Sequence, residues 1–148
     1  MNFYKNRNIE DFFTSLEKVS YPMKPCSKDD ISKLVKLSPT RTLPKIYLDF
    51  MNKAGNGIEF LVGTDYSMGD IFDLKEGAIE LLEENNSARK IADDQFIFMM
   101  HQGYMFWFFY LNDGDDPAVY CYDESIESDD FNKVSDTLSD FIISLYDW

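Results

Sequence analysis

The stretch QFIFMMHQGYMFWFFYLNDGDDPAVYCY, residues 95–122, decides the fold. Three segments within it, Gln95–Met100, Tyr104–Leu111 and Ala118–Tyr122, are rich in aromatic and β-branched residues. Two turn clusters separate them, Gln102-Gly103 and Asn112-Asp113-Gly114-Asp115-Asp116-Pro117. Short strand-favouring runs punctuated in this way read as an antiparallel meander. The run Met105–Tyr110 does not alternate between apolar and polar residues. A strand without a polar face is covered on both sides, which puts this one near the centre of its sheet with helices packed over it.

Outward from the meander the period becomes helical. Lys75–Glu84 places Ala78, Ile79, Leu81 and Leu82 on an apolar stripe. Further upstream, Ile58–Val62 reads as a strand and Met68–Leu74 as a short strand or extended segment. A helix over Asn8–Val19 repeats Ile9, Phe12, Phe13, Leu16 and Val19, with Glu10 and Asp11 in the first turn where the helix dipole favours anions. Ser27 is a good N-cap for a second helix, with Asp30 three residues on as a short capping-box partner and Ile31, Leu34 and Val35 as the buried stripe. A third helix follows Leu43-Pro44, since proline is preorganised for a helix start. Tyr47, Phe50, Met51 and Ala54 share one side of it, and Gly55-Asn56-Gly57 can stop it by adopting positive φ. Beyond the meander, Val134, Leu138, Phe141, Ile142 and Leu145 predict a closing helix over Val134–Tyr146. Helices, then strands, then a helix make an α+β fold: a central antiparallel or mixed sheet with helices packed around it.

The chain of 148 residues shows no repeat or linker and is the size of one domain, residues 1–148, with a single core. Its net charge is −13, which disfavours binding to nucleic acid and to anionic membrane surfaces and favours encounter with a basic protein. The charge is uneven. Residues 1–53 hold ten basic and six acidic residues, a balance of +4, while residues 54–148 hold four basic and twenty-one acidic ones, a balance of −17. The acids Asp113, Asp115 and Asp116 lie on a turn, and Asp123, Glu124, Glu127, Asp129 and Asp130 on the exit from the last meander strand. They form either a solvated face or a surface for a basic partner.

No motif selects a catalytic set. His101, the only histidine, stands beside a turn and reads as a polar turn residue. Cys26 and Cys121 fit no metal spacing, and Cys121 interrupts an apolar strand, as a buried inert thiol does. Asp113-Gly114-Asp115-Asp116-Pro117 begins like a calcium loop, but Ala118 stands where glycine is needed and Pro117 replaces an oxygen ligand. No glycine cluster has the setting of a phosphate loop. No metal and no cofactor are expected. With few cysteines and no apolar leader core or spanning segment, a reducing cytoplasm is the simplest compartment to expect.

The stretch Leu43 to Gly57, LPKIYLDFMNKAGNG, resembles the central signature of the SUKH family, which includes bacterial toxin-immunity proteins and a fungal cell-wall-assembly regulator. That signature runs Leu-Pro (Leu43, Pro44), a tyrosine three positions on (Tyr47), an aromatic three further (Phe50) and a glycine-rich stop (Gly55, Gly57). The usual glycine pair is here Gly55-Asn56-Gly57. The order of the later elements is similar too: an acidic Asp-Gly turn, a strand over Ala118–Glu124, and a final helix with Phe141 in its middle. The turn Met100–Met105 is more apolar than in the family pattern. The resemblance spans roughly Ser27 to Leu145.

The resemblance implies a non-catalytic protein that binds and neutralises a cognate bacterial toxin, a nuclease being one candidate. A monomer or weak homodimer is expected. The signature residues would be structural, and the acidic residues named above would face the toxin, imitating phosphate to a basic enzyme. A general interaction module without a toxin partner is the alternative, and an enzyme built on an unrecognised carboxylate site is the third reading.

Overall fold

The computed structural model describes residues 8–126 and 131–146. In chain order the elements are α1 (Ile9–Lys18), β1 (Met23–Lys24), α2 (Lys28–Val35), α3 (Lys45–Ala54), β2 (Gly57–Ile58), β3 (Thr64–Asp65), α4 (Leu74–Glu84), β4 (Gln95–His101), β5 (Met105–Tyr110), β6 (Val119–Asp123), β7 (Asn132–Ser135) and α5 (Leu138–Tyr146). Single 3-10 turns lie at Glu59–Leu61 and Ile71–Asp73.

The strands β3-β4-β5-β6-β7 form one sheet in that order, and every adjacent pair is antiparallel. The expected meander is there, extended by one strand on each side. β1 and β2 form a separate antiparallel pair. The β4–β5 hairpin turns on Gln102 and Gly103 with φ of 48° and 75°, and the Tyr104 N–H donates to the His101 carbonyl.

β5 is the middle strand and is covered on both faces. On one face the ring of Tyr47 in α3 stands edge-on to Phe96, Phe98 and Phe109, with centroids 5.4, 6.2 and 5.4 Å away. Phe141 of α5 meets Phe98 at 5.8 Å and Trp107 at 6.1 Å on the same side. Edge-to-face aromatic pairs each add about 0.5–1.5 kcal/mol beyond their buried area. On the other face Phe106 stacks on Tyr122 and Phe108 on Tyr120, and Phe131 packs edge-on to Phe108 at 4.9 Å. α4 lies over β4 on this side, where Met100, the cross-strand neighbour of Phe106, meets Gly77.

Side-chain caps open the first two helices, α2 at the expected Ser27. The Asn8 side chain accepts from Asp11 N–H to open α1, and Ser27 with Asp30 forms a full capping box on α2. In α3, Tyr47, Phe50, Met51 and Ala54 are all buried, and Phe50 meets Phe13 of α1 and Tyr66. Of the stripe expected on α2, only Leu34 is fully buried. α5 buries Leu138, Ser139, Phe141, Ile142, Ile143 and Leu145. A helix apolar on nearly every side belongs in the interior, and α5 packs against α1, α3 and β7.

Several expectations are corrected. All strand pairs among the described residues are antiparallel, so the mixed alternative falls. The strand read over Ile58–Val62 is only Gly57–Ile58, after which the chain winds into a 3-10 turn. The extended reading of Met68–Leu74 gives way to bends and another 3-10 turn, and the nearby strand is Thr64–Asp65. The last helix does not begin at Val134, because residues 132–135 pair with β6. Pro44 is the N-cap of α3, not its first helical residue. Gly55 has φ −67° and needs no positive φ. Glycine is required there by crowding instead: a β-carbon would overlap Cys26 Sγ and lie 2.6 Å from the Met51 carbonyl oxygen.

Two outcomes follow for urea unfolding. Gly55→Ala is expected to cost about 1–3 kcal/mol, and adding Cys26→Ala recovers part of that loss, so the pair is non-additive by at least about 0.5 kcal/mol. The Tyr47 hydroxyl is buried without a hydrogen-bond partner among the described residues. Tyr47→Phe is therefore expected to leave stability unchanged or raise it by about 1 kcal/mol, whereas Tyr47→Ala loses about 3–5 kcal/mol.

Candidate protein-binding surfaces

The signature residues hold the fold together. Leu43, Tyr47 and Phe50 are core residues. The exit of α3 is fastened at three points. The Tyr66 hydroxyl donates to the Ala54 carbonyl at 2.6 Å, the Cys26 N–H donates to the Met51 carbonyl, and Asn56 Nδ2 donates both to the Pro25 carbonyl and to Asp30 Oδ2, each at 3.0 Å. Asp30 thus serves the α2 capping box and the α3 exit together. Hydrogen bonds from the Ser27 N–H and from Asn56 hold its carboxyl below the usual 3.8. Bonds to the ionised form have this effect, and the stabilisation they bring is present above the unfolded pKa and drains away as pH falls through the folded one.

The acidic residues singled out by sequence divide into two groups. Asp113, Asp115 and Asp116 occupy the β5–β6 turn, whereas Asp123 and Glu124 leave the far end of β6. A strand of five residues separates them by roughly 17 Å, so they do not form one patch. Glu127, Asp129 and Asp130 lie outside the described residues.

Within each group, carboxylates also shape the chain. Asp113 Oδ2 accepts from the Ala118 N–H at 2.9 Å and closes the turn. Asp116 Oδ1 accepts from the Ser139 N–H at 2.9 Å, capping α5 from 23 residues away. The Asp115 carbonyl accepts from the Ile46 N–H in the first turn of α3, while the Asp115 side chain is exposed. At the other pole Asp123 Oδ1 accepts from the backbone and hydroxyl of Ser125, and Glu124 accepts from Asn85 Nδ2, which also donates to the Tyr122 hydroxyl.

Sheet register brings further acids to the Asp113 pole. Gln95 pairs with Tyr110 and Val119 with Ser135, so Asp93, Asp94 and Asp136 arrive beside the turn, and Asp140 enters on the first turn of α5. All four are exposed. Three lysines offset part of this charge: Lys75 approaches Asp93 at 3.8 Å, Lys133 pairs with Asp136 at 2.7 Å, and Lys45 lies near Asp115. Exposed pairs of this kind are each worth about 0–1 kcal/mol and leave the local potential negative.

The titratable groups weighed for chemistry are otherwise occupied. His101 Nδ1 is 3.2 Å from Thr64 Oγ1, and its ring stands edge-on to Tyr104. Burial, reinforced by Asp30, pushes the half-buried Cys26 thiol up to about 11, and burial with Asp123 pushes Cys121 up to about 12. Both are thiols, not thiolate nucleophiles, near neutral pH. Among the described residues no His, Cys, Asp or Glu group is arranged to hold a metal ion, and no helix is long and apolar enough to cross a membrane.

Two concavities are open rather than cleft-like. A groove of about 490 Å3 runs between the β1–β2 pair and residues 61–67. Another of about 320 Å3 lies between α5 and the β5–β7 strands. Neither gathers carboxylates: the first has only Glu59 and the second only Asp123. A third, of about 310 Å3 between α1 and α3, is lined by Glu10, Glu17 and Asp49, of which Glu17 pairs with Lys53 and Asp49 with Lys45.

In comparisons with known proteins, the family model described as SMI1 / KNR4 family (SUKH-1) matches residues 25–144. No curated protein matches the chain. The acids of the β5–β6 turn separate experimentally by task. Asp116→Ala, which uncaps α5, is expected to lower stability in urea by about 1 kcal/mol, while Asp115→Ala, whose side chain faces solvent, stays within about 0.5 kcal/mol of wild type.

Proposed function

Because the chain belongs to the SMI1/KNR4 (SUKH-1) family, we propose that it is a cytoplasmic immunity protein. As a single domain without catalysis of its own, it binds a cognate protein toxin one to one and blocks it. Family membership is the observation that carries the reading. The arrangement of charge supports it. The chain from residue 54 onward has a balance of −17, and the Asp113 pole presents carboxylates from three chain segments on a turn braced against α3 and α5. Such a surface attracts a basic enzyme, accelerates encounter and imitates the phosphates that a nuclease grips. Among the described acids proposed for contact, Asp113, Asp115 and Glu124 are exposed and Asp116 and Asp123 half-buried, and Asp113, Asp116 and Asp123 combine contact with turn-shaping.

The test is co-expression with the toxins encoded beside this chain, followed by kinetics on the purified pair. Wild type is expected to protect cells and to form a 1:1 complex whose association slows as salt rises. The variant Asp94→Lys/Asp115→Lys/Asp140→Lys keeps the fold and associates about 10–100-fold more slowly. Protection against no toxin, with several housekeeping proteins bound instead, would favour the general interaction module.

A further inference from the structure

The five-stranded sheet ends at β7, and among the described residues no strand pairs with its outer edge. Alongside that edge, on the face that α5 covers, runs the 320 Å3 groove. Its floor is apolar, formed by Trp107, Cys121, Phe141 and Leu145. At its rim Ile126 and Val134 are 50% and 48% exposed, so large apolar side chains stand in water next to open backbone groups. Asp123 is the one charged residue in the lining. The edge also links the two acidic poles. Ser135 leads into Asp136, while at the other end Asn132 pairs with Cys121, two residues from Asp123.

We propose that β7 is where the partner toxin docks, by adding one extended segment to the sheet. That segment lays an apolar side chain in the groove over Trp107 and Phe141 and carries basic residues at both ends. The inference rests on the immunity reading and gives it a place on the molecule. In strand addition, main-chain hydrogen bonds supply affinity and a side-chain pocket supplies selectivity. A floor of Trp107 and Phe141 suits a desolvated anchor; Asp123 at one end favours a cation, while at the other Asp136 is paired with Lys133 of β7 at 2.7 Å, so a basic residue of the partner would compete with Lys133 there. A second copy of this chain is a poor occupant, because each copy carries −13 and would bring the same carboxylates together.

The probe is a capped peptide, Lys-Lys-Val-Phe-Val-Lys-Lys, titrated into the full-length protein and followed by amide chemical shifts. The expected result is saturable shifts at residues 132–135 and at the Trp107 indole. An equally charged peptide with alternate backbone N-methyl groups is expected to bind at least tenfold more weakly. The folded surface variant Ile126→Lys/Val134→Lys loses at least tenfold in affinity for the unmethylated peptide. Equal affinity for both peptides with shifts confined to the acidic poles overturns strand addition, as does a dimer formed through β7. In cells, a double variant that still protects as well as wild type overturns docking at this edge while leaving the immunity reading intact. If wild type protects against none of the toxins while the peptide still binds β7, the toxin reading falls and strand capture at this edge stands.

Discussion

The seating of Tyr47 on Phe96, Phe98 and Phe109 is the contact on which the rest of the structure depends. It joins α3 to the two central strands, and each attachment of α3 then fixes another part of the chain. The first turn of α3 takes the Asp115 carbonyl, which locks the β5–β6 turn. The last turn takes Cys26, Tyr66 and, just beyond, Asn56 bonded to Asp30, which locks α2 and the β1–β2 pair. Phe50 carries the same load toward α1 through Phe13. The signature Leu-Pro-x-x-Tyr-x-x-Phe is thus a statement about packing: proline opens the helix, and two aromatics three residues apart face the same interior.

That frame explains how an acidic turn can be both structural and presented to solvent. Asp113 and Asp116 spend their carboxylates on Ala118 and Ser139, and in doing so hold Asp115 outward at a fixed position. Charges held by a preorganised scaffold lose little entropy when a partner arrives. Among the described residues, the same scaffold leaves the outer edge of β7 without a paired strand, between the two acidic poles. In the proposed reading, charge that steers a partner and backbone that pairs with it lie side by side.

Much of this was legible in the residues. The apolar run Met105–Tyr110 marked the central strand, and Ser27 marked a helix start, because burial on both faces and capping leave local signatures. Other features were not. β7, Asn132-Lys133-Val134-Ser135, has no alternation, and Val134 continues the helical spacing of Leu138 and Phe141. The signal that could have separated them is Thr137, whose hydroxyl accepts from the Asp140 N–H as a cap does. β3 has only two residues, too few for any period. The acids Asp113 to Asp130 read as one segment, but an extended strand in the middle carries its two ends apart. Asp93, Asp94, Asp136 and Asp140 join the turn only through cross-strand register, which pattern reading does not supply. Asn56, caught between Pro25 and Asp30, looked like one more turn residue.

The most direct test of the central claim is native-state hydrogen exchange of α3 and the sheet. If Tyr47 makes them one cooperative unit, the slowest amides of residues 48–54, 97–99 and 107–109 exchange with a common opening free energy equal to that of global unfolding. An α3 whose amides exchange through a smaller opening while β4 and β5 remain protected would contradict the account.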